Sequence, residues 1–128
     1  RAVERELASQ RGRYDFAVLD IHAEATSEKL ALALFFDGRF SAVFGTHTHV
    51  QTADARVLPG GSGYLSDLGM TGPAEGILGV ESADVIGRFT TKMPHRFHVA
   101  EGRIEAQGAL FDIDPVTGRC REVRPVRF

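Results

Sequence analysis

A single cysteine, Cys120, is the only thiol in this 128-residue chain, so no internal disulfide can form. A reducing compartment, the cytoplasm, is the expected location. Long apolar runs are also missing: no stretch of about 18 apolar residues is available to cross a bilayer as a helix. Neither sign of charge dominates. Fifteen Lys and Arg against 17 Asp and Glu leave a net charge of -2, without the basic field that draws in long nucleic acid or an anionic membrane. There is no signal-peptide pattern, internal repeat or low-complexity tract. The phosphate-binding P-loop, the dinucleotide Gly-x-Gly-x-x-Gly and the nucleophile motif Gly-x-Ser-x-Gly are absent. What remains is ordinary globular composition, 43% hydrophobic and 25% charged. That length buries a core without a disulfide or metal staple. The chain opens on Arg1 rather than Met, in what reads as a helix already under way, and it is expected to be a piece of a longer protein.

The hydrophobic pattern predicts an α/β unit followed by antiparallel strands. In Arg1–Arg13, Val3, Leu7 and Ala8 fall on one helical face. Tyr14–Ile21 reads as a buried, parallel strand. Thr26 is a candidate N-cap with Glu28 in the first turn, and the helix runs through Leu30, Leu32, Leu34 and Phe35 to a stop at Gly38. Ser41–Gly45 reads as the second buried strand. Strand, helix and strand then form a right-handed crossover. Half the glycines, seven of 14, lie between Gly60 and Gly79. Pro59-Gly60-Gly61 predicts a tight turn between Ala55–Leu58 and Gly63–Ser66. Gly69–Gly79 reads as an irregular loop, either substrate-facing or a plain surface connection. Ser82 is expected to cap a helix to about Thr91 with Val85, Ile86 and Phe89 inward. Arg96–Ala100, Arg103–Asp114 and Arg119–Val126 read as strands joined by hairpin turns.

The strongest local signal is Gly45-Thr46-His47-Thr48-His49. Two histidines at i and i+2 on extended chain would point to one side, where neutral imidazoles can share a metal or serve two close ones. His22 ends the preceding strand. Adjacent parallel strands would bring His22, His47 and His49 to one rim, at the carboxyl ends where open α/β sheets bind ligands. Each of them taken singly reads equally as a hydrogen-bonded strand-end residue. A ligating imidazole usually gives its second N–H to a carboxylate or a carbonyl. Asp20, Glu24 and Asp67 are the candidates for that role, with Asp54 also near in sequence; Asp20 equally reads as a turn cap and Glu24 as a solvent-facing group. His95 and His98, without acidic neighbours in sequence, read as structural or exposed. Arg119 and Arg121 flank Cys120 and would lower its pKa, but a small buried hydrophobe fits the position better.

Three segments together carry a resemblance. Asp20-Ile21-His22-Ala23-Glu24-Ala25-Thr26-Ser27-Glu28-Lys29, Gly45-Thr46-His47-Thr48-His49-Val50-Gln51-Thr52-Ala53-Asp54 and Ser66-Asp67-Leu68-Gly69-Met70-Thr71-Gly72-Pro73 resemble, in that order, bacterial YmdB-type metallophosphoesterases. Members are described as 2',3'-cyclic-nucleotide 2'-phosphodiesterases. The resemblance runs from about Tyr14 onward and implies a calcineurin-like α/β sandwich with two active-site metals. It makes His22 and His47 ligands of one metal and His49 a ligand of the other. It implies attack of a metal-bridging hydroxide on phosphorus, with two metals about 3.5–4 Å apart clamping the phosphoryl group. Thr46, Thr48, Gly69, Thr71 and Gly72 become candidates for the substrate loop.

The family's Asp, bridging Glu, two Asn and catalytic His belong to an N-terminal half that is not in this sequence. Residues 1–128 then make one partial metallophosphoesterase domain, expected to be inactive alone. The general acid is expected in the other half, and the catalytic residue within this chain is unknown. The implied cofactors are two divalent transition metals, with Fe, Mn and Zn equally suited to imidazole and carboxylate ligands. The implied partners are a small phosphodiester or nucleotide and the N-terminal half, with a homo-oligomer left open. The competing reading is a non-catalytic interaction module or an inactive fragment. A TIM-barrel amidohydrolase needs a longer chain, and a cupin would lack the helix at Thr26–Asp37.

Overall fold

The computed structural model describes residues 1–128 as two sheets laid against each other with helices outside. Helix α1 (Ala2–Ser9) precedes strand β1 (Val18–His22). Helix α2 (Thr26–Phe35) carries the chain over to β2 (Ala42–Thr46). β1 and β2 pair in parallel, with Val18 opposite Ala42 and His22 opposite Thr46. That register is what brings the two strand ends, with their histidines, side by side.

The reason α2 lies on the sheet is its inner stripe. Lys29, Ala33 and Phe36 recur at intervals of four and three, and all three are buried. Leu34 and Phe35 fall off that stripe and are 50% and 66% exposed. Thr26 is the first helical residue rather than the cap. Ala25 stands at the N-cap with no side-chain bond. Gly38, at φ +78°, makes the expected reversal after the helix.

β3 (Arg56–Val57) and β4 (Gly63–Leu65) form the expected hairpin around Pro59-Gly60-Gly61. Asp37 accepts the N–H groups of Gly60 and Ser62, which fixes that turn. β4 also pairs in parallel with β2, giving the order β1-β2-β4-β3. β1 is therefore an edge. It is shorter than expected, and alternate residues face solvent rather than being buried.

The second sheet has the order β5-β6-β7, from β5 (Thr71–Pro73), β6 (Ile104–Ile113) and β7 (Cys120–Arg127). β5 lies inside the segment expected to be irregular. Arg96–Ala100 is not a strand; only Val99 forms an isolated bridge, to Val80. The β6–β7 turn is built by Asp114, which accepts the N–H groups of Val116 and Thr117 at 2.8 and 2.9 Å. Those bonds and Arg121 hold its carboxyl at about 2.

The sheets meet where Gly63 leaves room. A Cβ there would lie 2.6–2.9 Å from Cys120 Sγ, Phe111 and Val123. Cys120 is buried, and burial pushes its thiol up, as befits a packed hydrophobe rather than a reactive group. The core gathers Ala33, Phe36, Phe40, Val43, Leu58 and Tyr64.

Helix α3 (Ser82–Thr91) begins at Ser82, with Glu81 at the N-cap and no side-chain bond. Its expected inward face is turned out: Ile86 and Phe89 are 53% and 78% exposed. His98 does have an acidic partner, since its Nδ1 and its backbone N–H both reach Asp84 Oδ2, at 2.8 and 2.9 Å. No helix of the chain is long and apolar enough to cross a membrane.

Candidate active site

β2 runs so close beneath α2 that Gly45 has no alternative. A Cβ at Gly45 would overlap the Ser66 carbonyl oxygen and lie 2.6 Å from Lys29 Cδ. The Lys29 side chain occupies that space and ends 3.0 Å from Asp67 Oδ2, both residues being fully buried. Asp67 Oδ2 also accepts the Thr48 N–H at 2.9 Å, and Oδ1 accepts the Gly69 N–H at 3.0 Å. One carboxylate thus ties α2 to the histidine loop and to the loop leading to β5. Burial pushes the Asp67 carboxyl up, and the N–H groups of Gly69 and Thr48 together with Lys29 more than reverse that, leaving it below the ordinary 3.8. Gly45→Ala is expected to destabilise the fold by at least about 1–3 kcal/mol, because the carbonyl of the buried Ser66 must move. Thermal unfolding of this variant beside the parent measures it.

The strand ends at Thr46, so the two histidines do not sit on extended chain as expected. His47 has φ +112° and His49 φ +63°, a region that non-glycine residues avoid at a cost of roughly 1–3 kcal/mol each. The Asp67 bond to Thr48 lies between them and holds the turn. Thr52 closes it: its N–H bonds the Asp67 carbonyl at 3.2 Å, and its hydroxyl accepts the Asp67 N–H at 3.0 Å. Gln51 then reaches the second sheet, donating to the carbonyls of Gly108 and Val126 at 2.8 and 3.0 Å.

On this frame a chain of polar contacts runs from Asp20 to Glu24. Thr46 Oγ1 donates to Asp20 Oδ1 at 3.1 Å, and His22 Nδ1 lies 3.1 Å from the same hydroxyl. His22 Nε2 lies 3.0 Å from His47 Nδ1, and His47 Nε2 lies 2.7 Å from Glu24 Oε2. Proton accounting then constrains the middle. A carboxylate only accepts, so the single Thr46 proton goes to Asp20, and the hydroxyl must accept from His22 Nδ1–H. His22 Nε2 is left with a lone pair. At the other end Glu24 accepts from His47 Nε2–H, so Nδ1 of a neutral His47 also presents a lone pair. Two lone pairs face each other across 3.0 Å, a contact that needs a positive centre shared between them. That centre is a proton or a metal cation. Two imidazole nitrogens this close would serve as neighbouring ligands if the shared centre were a metal cation.

The structure therefore joins His22 to His47 and gives Asp20, through Thr46, and Glu24 the place of ring anchors. Asp67 is no such anchor: it touches no histidine ring and works through the backbone of Thr48. Asp54 is likewise occupied elsewhere, taking the Ser66 N–H and hydroxyl. His49 lies on the wall of an adjoining cavity that Gly72 also lines. Within this chain alone, no three His, Cys, Asp or Glu side chains form a group arranged to hold a metal. Of the loop candidates, Thr46 is the link between Asp20 and His22, Thr48 bonds Asp67, and Gly69, at φ +88°, packs against Gln107. Thr71 sits exposed in β5 opposite Ala106. Lys29 went unrecognised as part of the site. The available signal was a charged residue on an otherwise apolar helix stripe.

The chain is similar to several known proteins. Residues 1–126 match the family described as YmdB-like protein. The chain is 51% identical over 120 residues to a Bacillus subtilis protein named 2',3'-cyclic-nucleotide 2'-phosphodiesterase, covering 94% of this chain and 46% of that one. It is 38% identical over 115 residues to a Mycoplasma pneumoniae putative phosphatase/phosphodiesterase, covering 89% and 41%. A crystal structure described as a novel phosphatase from Mycoplasma pneumoniae superposes with a TM-score of 0.89 at 36% identity, over 99% of this chain and 45% of that one. A hypothetical protein from Thermus thermophilus does so with a TM-score of 0.85 at 42% identity, over 99% and 49%. The chain spans just under half the length of each of these relatives.

Proposed function

The chain belongs to the YmdB-like protein family, and on that premise we propose that it carries part of the active site of a metal-dependent phosphodiesterase acting on 2',3'-cyclic nucleotides. Residues 1–128 are one part of a metallophosphoesterase domain, and the remaining ligands and the general acid come from the rest of the protein. The observation that carries this reading is the His22–His47 pair, with Nε2 and Nδ1 facing each other at 3.0 Å and both outer ring nitrogens anchored.

His22 Nε2 and His47 Nδ1 hold one divalent metal in this reading, and His49 serves a second. Bound metals supply positive charge against the phosphoryl oxygens and acidify the attacking water. The work of this chain's own residues is orientation. Asp20, through Thr46, keeps the proton of His22 on Nδ1, and Glu24 keeps that of His47 on Nε2. Each imidazole then offers its other nitrogen toward the same point. The Asp67 clamp holds the backbone that aims His47.

The reading is tested on the full-length protein by hydrolysis of 2',3'-cyclic AMP with and without a chelator. Hydrolysis that the chelator stops and a divalent metal restores supports it. Undiminished hydrolysis in the chelated protein contradicts it. The isolated 128-residue chain is expected to show little or no activity, and a rate matching that of the full-length protein would remove the need for a second half. Thr46→Val keeps the shape of the side chain and deletes the hydroxyl. It is expected to weaken metal binding by about 10- to 100-fold, as loss of a group that orients a ligand commonly does. Metal titration of the full-length variant measures it.

A further inference from the structure

Beside His49 the second sheet builds an arrangement that the His22–His47 chemistry does not use. Glu105 on β6 is buried, and each of its carboxylate oxygens is engaged. Oε2 lies 3.0 Å from Arg103 Nη1, and Oε1 lies 3.0 Å from Arg127 Nε and 2.6 Å from the Gln107 amide. The Gln107 amide, with Arg103 and Arg127, holds the Glu105 carboxyl below its usual range against the opposing push of burial. Gln107 is itself fixed, since its carbonyl accepts the Met70 N–H at 3.4 Å.

The result is one negative charge at the base and two guanidiniums above it. Both arginines are more than half exposed, at 64% and 57%, and within this chain neither has another ion-pair partner. Arg127 spends only Nε on Glu105, so the fork made by its two terminal nitrogens is free. Arg103 spends one terminal nitrogen and keeps the others. Arg103, Glu105 and Arg127 line a cavity of about 240 Å³ together with His49, Met70 and Gly72. A rigid guanidinium fork matches phosphate oxygens in pairs, and the buried carboxylate removes much of the side-chain freedom that binding would otherwise have to freeze.

We propose that Arg103 and Arg127, set by Glu105, form a subsite for a second phosphate of the substrate, one that is not cleaved. This rests on the reading of the neighbouring histidines as the reacting centre. The ligand chemistry is a phosphate attached to a nucleotide whose cyclic phosphate lies at the His22–His47 side. It has two sources, the 5'-phosphate of a mononucleotide or the internucleotide phosphate of a short oligonucleotide.

The test uses the metal-loaded full-length protein and three substrates: 2',3'-cyclic AMP, the same nucleotide bearing a 5'-phosphate, and a dinucleotide ending in a 2',3'-cyclic phosphate. At least one doubly phosphorylated substrate is expected to exceed plain 2',3'-cyclic AMP in kcat/KM by about tenfold or more, through KM, as a charge-assisted pair of bonds allows. Preference for the first identifies the 5'-phosphate, and preference confined to the second identifies the internucleotide phosphate. Arg127→Ala and Arg103→Ala are expected to bring that ratio close to one. Arg127→Lys, which keeps the charge and loses the fork, is expected to recover only part of it. A ratio near one in the parent, or a ratio unchanged in the variants, overturns the subsite. If the parent hydrolyses none of the three, the proposed phosphodiesterase activity fails, and calorimetric binding of the same nucleotides decides the subsite alone. A higher affinity for the doubly phosphorylated ligands that Arg127→Ala abolishes supports it, and equal affinities overturn it.

Discussion

Replacing His47 with alanine in the full-length protein is expected to lower hydrolysis of 2',3'-cyclic AMP by about 10²–10³-fold, the range seen when one group preorganised around developing charge is removed. The variant deletes one of the two nitrogens that face each other at 3.0 Å and leaves Glu24 without its ring partner. His47→Gly is expected to lose the same activity and yet to melt higher than His47→Ala. At φ +112° a Cβ is strained and a glycine is not, a difference of roughly 1–3 kcal/mol, reduced by the entropy that glycine loses on folding. Steady-state rates and thermal melts of the two variants give both results. Undiminished hydrolysis in either variant would point to a binding role for this loop rather than a catalytic one.

The second large effect is structural. Lys29→Met or Asp67→Ala alone is expected to cost about 3–5 kcal/mol, because each leaves its buried partner without a counter-charge. Asp67→Ala is the harsher of the two, since it also strands the N–H groups of Thr48 and Gly69. The effect depends on pH with a definite sign. The folded Asp67 carboxyl is held below 3.8, so its contribution is complete above that pH and is lost as pH falls through the lower folded value. The difference between parent and Asp67→Ala, read from denaturant midpoints, is therefore expected to be full at neutral pH and to shrink in strong acid. A double variant less destabilised than the sum of the two singles would confirm that the residues act as a pair.

The parts of this architecture that local pattern decides were legible in the sequence. The apolar runs around Val18 and Val43, separated by one helix length and a glycine stop, specified the parallel pair, and its register put His22 beside Thr46. Pro59-Gly60-Gly61 specified its hairpin through turn chemistry, and the break between Arg103–Asp114 and Arg119–Val126 specified the other. Features that depend on which face is covered were not legible. Val85, Ile86 and Phe89 have helical spacing whether or not anything packs on them, and two of the three are exposed. Tyr14–Ile21 looked buried because it is apolar, and periodicity does not reveal that a strand lies at an edge.

The site divides in the same way. The His-x-His pair and the nearby carboxylates were visible because they are close in sequence. The backbone turn that sets His47 apart from His49 was not, because it depends on Asp67, a carboxylate far along the chain from His47. The sequence shows Lys29 only as a charge spaced four residues before Ala33, and its burial beside Asp67 depends on packing. Arg103, Glu105 and Arg127 come together only through the pairing of β6 and β7, which lies beyond local pattern.

The most direct test of the central claim, that His22 and His47 hold a metal together, is metal content by elemental mass spectrometry on the full-length protein and on its His22→Ala/His47→Ala variant. Near two divalent metals per chain are expected in the parent and at most one in the variant, with His49 left to serve the other. A parent that binds none under metal-replete conditions, or a variant that holds as much as the parent, would contradict it.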